Sequence, residues 1–276
     1  MFSRLALALV LGAGTASAGP TLTYSGQVTL ETEVGGLSGI ELSQDGSTGL
    51  IASDRGQLFK VGIARKDGRL SRIEMSPWAK PATLEGDLEG VATLDGKTFF
   101  FSFEEDTRVV MLSPNGQITT LNKHPAFQTF EKNKSLEAVA IRSDGTLFTL
   151  PENPSNRSNI YPLFAYQNHN WQIVSGLPRR GSFMTVGADF GPDGLFYILE
   201  RTVSPFGFRS RVRRFNLNVQ GLDEQVLLAT LPSKHGNLEG ISVWRDSAGQ
   251  TRVTMVSDNN FLSALRSEIV EYILQE

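Results

Sequence analysis

One short phrase recurs five times along this chain at a nearly constant interval, and this recurrence constrains the fold more than any other feature. The copies read GLSGIELSQDG from Gly36, DLEGVATLDG from Asp87, SLEAVAIRSDG from Ser135, TVGADFGPDG from Thr185 and NLEGISVWRDSAG from Asn237. Anchored on the small residue Gly39, Gly90, Ala138, Gly187 or Gly240, the spacings are 51, 48, 49 and 53 residues. A period near 50 residues means one supersecondary unit repeated in series. Each copy continues alike, through a tight turn and a second apolar strand to an acidic tip at Asp54, Glu104 with Glu105, Glu152, Glu200 or Asp258.

Within each unit, apolar and polar residues alternate at period two between Gly- and Asp-rich turns, which predicts an all-β chain. The first unit reads as four strands (LSGIELS, TGLIAS, QLFKVGIA, LSRIEM), and the second, third and fourth units read likewise. The fifth has only three before the chain ends, and the unassigned run TLTYSGQVTLET from Thr21 supplies the missing one. Pairing the first and last strands in one blade closes a ring and removes exposed sheet edges. The prediction is a β-propeller of four-stranded blades, five in number, with six as the alternative. Enlarged loops are expected after the second strand of the third blade (ENPSNRSNIY from Glu152) and of the fourth (RTVSPFGFRS from Arg201).

The first 18 residues carry Arg4, an apolar run from Leu5 to about Ala13, and Ala16 and Ala18 ahead of Gly19-Pro20. This is the pattern of a cleaved secretory leader, cut after about Ala18. It predicts a periplasmic or secreted protein whose single propeller domain spans 19–276. No other segment approaches the length of a membrane span. A formal charge of -3 offers no general attraction to nucleic acid. The absence of cysteine excludes disulfides, Cys-ligated zinc and thiol catalysis. The three histidines, His124, His169 and His235, read as surface-loop residues without metal-ligand spacing.

In a propeller blade the start of the first strand and the end of the second lie on one face. Ring geometry therefore gathers Glu89, Glu137 and Glu239, which begin first strands, with the acidic tips that end second strands. Carboxylates crowded in partly desolvated surroundings require raised pKa values, arginine partners or a bound cation. Arg55, Arg201, Arg108 and Arg157 lie near the tips, and Asn153, Asn259 and Asn260 offer neutral oxygens. An all-oxygen donor set without His or Cys favours Ca²⁺. The candidate metal ligands are Glu89, Glu137, Glu152, Glu239 and Asp258. The bland alternative is that glutamates at these positions clasp neighbouring backbone and hold blades together. Ser38 and Val186 break the glutamate series, and Glu41 and Asp189, three residues on, are candidates to compensate. The stretch from Arg201 to Arg214 reads either as a solvated hairpin or as an anion-binding lip, with Arg209, Arg211 and Arg213 on one strand face.

The set GLSGI…ASDRGQLF, DLEGVA, SLEAVAI…DGTLFTLPE, GADFGPDGLFYILER and NLEGISVWRD…VSDNNF resembles the exported bacterial phytase-like family, described as having esterase-like activity of phytase. The resemblance runs from about Val34 to about Leu274. It implies a propeller, export, and hydrolysis of phosphate or carboxylic esters on a small anionic or ester substrate. On this reading Glu89, Glu137 and Glu239 are the catalytic carboxylates, a Ca²⁺ ion activates water, and Arg55, Arg201 and Arg209 orient the anionic group. The protein is expected to act as a monomer. Two other classes stay open: a non-catalytic propeller binding a ligand or protein through the same face, and a metal-dependent lactonase.

Overall fold

The computed structural model describes residues 19–30, 34–79, 84, 86–132, 134–153, 158–219, 222–262 and 265–276. Strand β1 (Thr21–Thr29) precedes the first complete blade, β2 (Leu37–Leu42), β3 (Thr48–Ser53), β4 (Leu58–Lys66) and β5 (Arg69–Pro77). The second blade is β6 (Leu88–Thr93), β7 (Phe99–Phe103), β8 (Arg108–Leu112) and β9 (Ile118–Thr120), and the third is β10 (Leu136–Ile141), β11 (Leu147–Pro151), β12 (Ile160–Gln167) and β13 (Asn170–Pro178). The fourth comprises β14 (Met184–Phe190), β15 (Phe196–Ser204), β16 (Gly207–Asn216) and β17 (Asp223–Ala229). The fifth is built from β18 (Asn237–Arg245), β19 (Thr251–Asp258), β20 (Glu268–Gln275) and, returning from the start of the chain, β1. Five four-stranded sheets form a five-bladed propeller closed by β1 against β20, from Thr21 opposite Gln275 to Thr29 opposite Glu268.

Tight turns set the strand registers. Asp67-Gly68 and Asn168-His169 each place two consecutive residues at positive φ, the requirement of the two-residue hairpin turn whose twist matches that of its strands. The buried apolar residues divide into five clusters, each made by two neighbouring blades, so that every blade is glued to both neighbours.

The small residue that anchors the repeated phrase has a packing cause. An added Cβ at Gly187 would lie 2.7 Å from the Glu239 carbonyl oxygen, and one at Gly240 would lie 2.7 Å from the Ile40 nitrogen. Neighbouring first strands touch backbone to backbone around the axis, so glycine stands at four of the five anchors and alanine, with the smallest side chain, at Ala138. The space left at this waist is about 10 Å³, room for about one water molecule. No organic ligand threads the channel, and any site belongs to its mouth. Gly187→Val is therefore expected to cost about 1–3 kcal/mol through overpacking against backbone that cannot retreat. Urea unfolding checks this, and an unchanged midpoint would contradict the tight waist.

Three expectations need correction. The run RTVSPFGFRS is no loop, because β15 and β16 stay paired out to Ser204 opposite Gly207, forming a hairpin arm. His235 is buried rather than superficial: its Nε2 lies 2.6 Å from the Tyr272 hydroxyl, and its ring stacks on Tyr24 across the β1–β20 closure. His124 caps a 3-10 turn at Pro125–Thr129, its Nδ1 accepting the Ala126 N–H at 3.1 Å, while His169 is an exposed turn residue as expected. Residues 1–18, including the expected leader and its expected cleavage position, and Arg157 lie outside the described residues. Among the described residues no helix is long and apolar enough to cross a membrane.

Candidate functional site

The mouth is built by a bulge repeated in every blade. The pairing of first and second strands slips between Leu37 and Gly39, Leu88 and Gly90, Leu136 and Ala138, Thr185 and Gly187, and Leu238 and Gly240. The extra residue is in turn Ser38, Glu89, Glu137, Val186 and Glu239. A bulge re-aims the side chain it carries. Here it turns three glutamates toward one another closely enough that Glu239 raises the pKa of Glu89 and Glu89 that of Glu137.

The same register identifies the tips. Ser53 opposes Leu37, so the residue after it, Asp54, is the tip of the first blade, and Glu104, Glu152 and Asp258 follow in the second, third and fifth. In the fourth blade Glu200 opposes Thr185, so the tip is Arg201. This corrects the expectation for Glu200, which one residue earlier points the other way and is fully buried between Arg211 and Arg213 at 2.6 Å each. A one-residue shift exchanges the faces of a strand. The fifth position of the acidic ring is thus a cation.

Arg201 ties up one side of the ring. Its guanidinium donates to Glu239, to Asn237 Oδ1 at 2.8 Å and to Glu152 Oε1 at 3.3 Å, while Asn237 Nδ2 donates to Glu239 at 2.6 Å and to Asn260 Oδ1 at 2.8 Å. Asp258 accepts the Gly36 N–H at 2.5 Å. Asp87, Glu89 and Glu104 bring carboxylate oxygens within 4.8 Å of one another, and so do Glu104, Glu137 and Glu152, with Glu104 common to both groups. Asp54 Oδ1 is buried without a hydrogen-bond partner.

Burial is the first cause of the titration behaviour, with neighbouring carboxylates adding to it and Arg201 opposing it at Glu239 and Glu152. Desolvation and then Asp258 and Asp87 push Asp54 up to about 6. Desolvation raises Glu104 to about 7, with Asp87 and Glu152 adding to it, and raises Glu239 to about 7 against the opposing pull of Arg201. Glu89 and Glu137 are raised well above the carboxylate range by burial first, and then by Glu239 in the case of Glu89 and by Glu89 in the case of Glu137. Glu152 is raised less, because Arg201 offsets its desolvation.

Of the residues expected at the site, Glu89, Glu137, Glu239, Glu152, Asp258, Arg55 and Arg201 converge on the mouth. Arg209 does not join them. It lies on the hairpin arm, its Nε donating to the Thr230 carbonyl at 3.2 Å and its guanidinium 5.8 Å from the Phe183 ring. The alternation expected of Arg209, Arg211 and Arg213 ends in an internal network rather than an anion-binding lip, with Arg213 also bonded to Glu224. Arg108 is occupied by Asp106 and the Phe103 ring. The oxygens of Asn153, Asn259 and Asn260 already accept from Arg179, the Phe261 N–H and Asn237. Asp189 is a clasp, accepting the Phe190 and Val243 N–H groups at 2.7 and 2.6 Å, whereas Glu41 is a deeply desolvated carboxyl raised further by Asp189.

Sequence reasoning missed Asp87 and Asn237 and left Glu104 out of the ligand set. Asp87 and Asn237 are each the first residue of a copy of the repeated phrase, and that shared position was the available signal.

The all-oxygen donor set, the two carboxylate groups and the orphaned Asp54 Oδ1 together fit a hard divalent cation. The clustered acids could bind a metal.

No curated protein matches the chain. Among solved structures, the PQQ-bound aldose sugar dehydrogenase of Streptomyces coelicolor is similar at 12% identity, covering 94% of this chain and 99% of that one with a TM-score of 0.51. Virginiamycin B lyase from Staphylococcus aureus is similar at 14% identity, covering 91% and 73%, with a TM-score of 0.44. At such identities the likeness is one of fold. A family model described as phytase-like, with esterase-like activity of phytase, matches residues 32–261, and the chain belongs to that family.

Proposed function

We propose that the channel mouth is a hydrolytic site for phosphate or carboxylic esters. The observation that carries this reading is the coexistence of carboxyl groups poised near neutrality with a guanidinium left uncommitted beside them. Glu104 and Glu239, both raised to about 7, can hold or release a proton at physiological pH. Arg55 stands next to Asp54 and, among the described residues, makes no hydrogen bond or ion pair through its guanidinium. Its planar fork suits a carboxylate or phosphate oxygen pair. Arg201 is spent on Glu152 and Glu239, so it orients those carboxylates, and Arg55 receives the anion.

Glu104 with Asp87 and Glu89, or with Glu137 and Glu152, would hold a Ca²⁺ ion. When bound, such a cation polarises an ester oxygen and lowers the pKa of water. In the protein itself, Glu137 and Glu89 hold protons near the reacting ester, and the closed waist keeps the substrate at the mouth. The leader reading makes this an exported protein, which N-terminal sequencing of the secreted product, expected to begin near Gly19, tests.

The proposal predicts hydrolysis of p-nitrophenyl phosphate or p-nitrophenyl butyrate, with kcat falling about 100-fold or more in Glu104→Gln and Glu137→Gln. Full activity in both variants would remove the carboxylates from the chemistry. One observation favours a non-catalytic, ligand-binding propeller instead, since Arg201 and the Gly36 N–H already satisfy Glu152, Glu239 and Asp258. Purified protein that binds such esters without turnover would decide for that reading.

A further inference from the structure

The loop that follows β19 holds two consecutive non-glycine residues in the left-handed region, Asn260 at φ 49° and Phe261 at φ 55°. Asparagine enters this region readily, but phenylalanine is strained there, because its Cβ crowds the following carbonyl. The Leu262 N–H donates to the Asn259 carbonyl at 2.8 Å and closes a tight turn whose two central residues both need positive φ, and the Asn259 side chain accepts the Phe261 N–H at 2.9 Å; glycine would take the Phe261 position without strain. Strain of this kind persists only where surrounding contacts over-determine it.

Two contacts do so. Asn260 Oδ1 accepts from Asn237 Nδ2 at 2.8 Å, which fastens the loop to the residue that also bonds Arg201 and Glu239. The Phe261 ring lies under the Arg55 guanidinium, 3.6 Å from its carbon, and fills the space that the absent side chain of Gly35 leaves open. The strained pair therefore links the two mouth arginines, one through a side-chain amide and the other through a π face. Arg55 is an exposed residue on a long flexible stem, and without a partner it would sample many rotamers. Stacking on a ring leaves its donor edge open, whereas pairing with a carboxylate would consume it.

We infer that Phe261 is a positioning residue, kept in an unfavourable backbone conformation so that its ring presents Arg55 as a receptor for an oxyanion, the carboxylate or phosphate group of a ligand at the mouth. Only the identity of that ligand as an ester rests on the hydrolytic reading.

The test needs no turnover. Binding of inorganic phosphate and, separately, of benzoate to the full-length protein is followed by calorimetry, with thermal melts on the same samples. Phe261→Leu is expected to weaken binding of at least one anion about fivefold, the equivalent of an exposed cation–π contact, and Phe261→Tyr to keep it within about twofold. In an Arg55→Ala background, Phe261→Leu is expected to change nothing further, the non-additivity of two residues acting as one. Phe261→Gly is expected to melt about 2 °C or more above Phe261→Ala, because only at positive φ does glycine outrank alanine. Whichever of phosphate and benzoate binds more tightly identifies the class of oxyanion. The inference is overturned if wild-type protein binds neither anion, if Phe261→Leu binds like wild type, if its effect survives in Arg55→Ala, or if alanine is the more stable at position 261. Anion binding with these dependences but no ester hydrolysis would uphold Phe261 and refute the hydrolytic reading.

Discussion

Replacing Arg201 by methionine is expected to cost about 3–5 kcal/mol at pH 8, the penalty of leaving buried carboxylates without their counter-charge. Arg201 bonds Glu152 and Glu239, and its side chain is 17% exposed. Around it stand Asp54, Asp87, Glu89, Glu104, Glu137 and Asp258, and among the described residues Arg201 is the cation bonded to both Glu152 and Glu239. Its hydrophobic stem is approximated by methionine, which separates charge from volume. At roughly 2–4 °C per kcal/mol for a chain of this size, the melting temperature falls by about 10 °C. At pH 5 the loss should shrink, because carboxyls raised toward neutrality are then protonated and no longer need the cation. Arg201→Lys should lose less than methionine but more than nothing, since an ammonium keeps charge without the fork that spans Glu152, Asn237 and Glu239. Thermal melts at the two pH values check this. An equal loss at both would make Arg201 a packing residue.

Arg201 also marks where sequence reading stops. The recurrent phrase was enough for five blades, their strands and the closure by β1, because period-two alternation and turn chemistry are local properties. The tip of the fourth blade was not legible in that way, because Glu200 and Arg201 are adjacent and the acidic residue matched the pattern by eye. Counting settles it: Glu104 and Glu152 each follow their anchors Gly90 and Ala138 by 14 residues, and 14 residues after Gly187 stands Arg201. The bulge and the length of the turn between the two strands together set that offset, which is longer in the first and fifth blades, and a bulge has no sequence signature beyond the small residue beside it. The arginine-rich stretch misled for a related reason. Charged residues in a strand read as solvent-facing, yet Arg213 is completely buried, where Glu200 and Glu224 offset its desolvation. Such partners are set by register across β15, β16 and β17, and no spacing along the chain reveals them.

The largest effect expected concerns pH and cations together. Without a bound cation the protein should lose stability as pH rises from about 5 to 8. The sign follows from the direction of the shifts: Asp54 is raised to about 6, Glu104 and Glu239 to about 7, and Glu89 and Glu137 further. A group whose pKa is higher folded than unfolded binds more protons in the native state between the two values. Its contribution is therefore complete below the unfolded pKa and is lost as pH climbs through the folded one. Glu239 alone, raised from 4.5 to about 7, represents about 3 kcal/mol, and several groups of this kind together rival the roughly 5–15 kcal/mol that holds a domain folded. A ring of this composition is hard to keep both bare and ionised at pH 8. Ca²⁺ at about 100 times its Kd should restore about 2.7 kcal/mol, with a gain in melting temperature that is larger at pH 8 than at pH 5, where protons compete for the same oxygens. Glu104→Gln, which removes the carboxylate shared by both groups, should flatten the pH dependence and abolish most of the Ca²⁺ response together. Melting curves in chelator and in Ca²⁺ across this range decide the matter. A melting temperature indifferent to both pH and Ca²⁺ would show that the mouth keeps its protons, and its carboxyl groups would then be structural donors rather than ligands or bases.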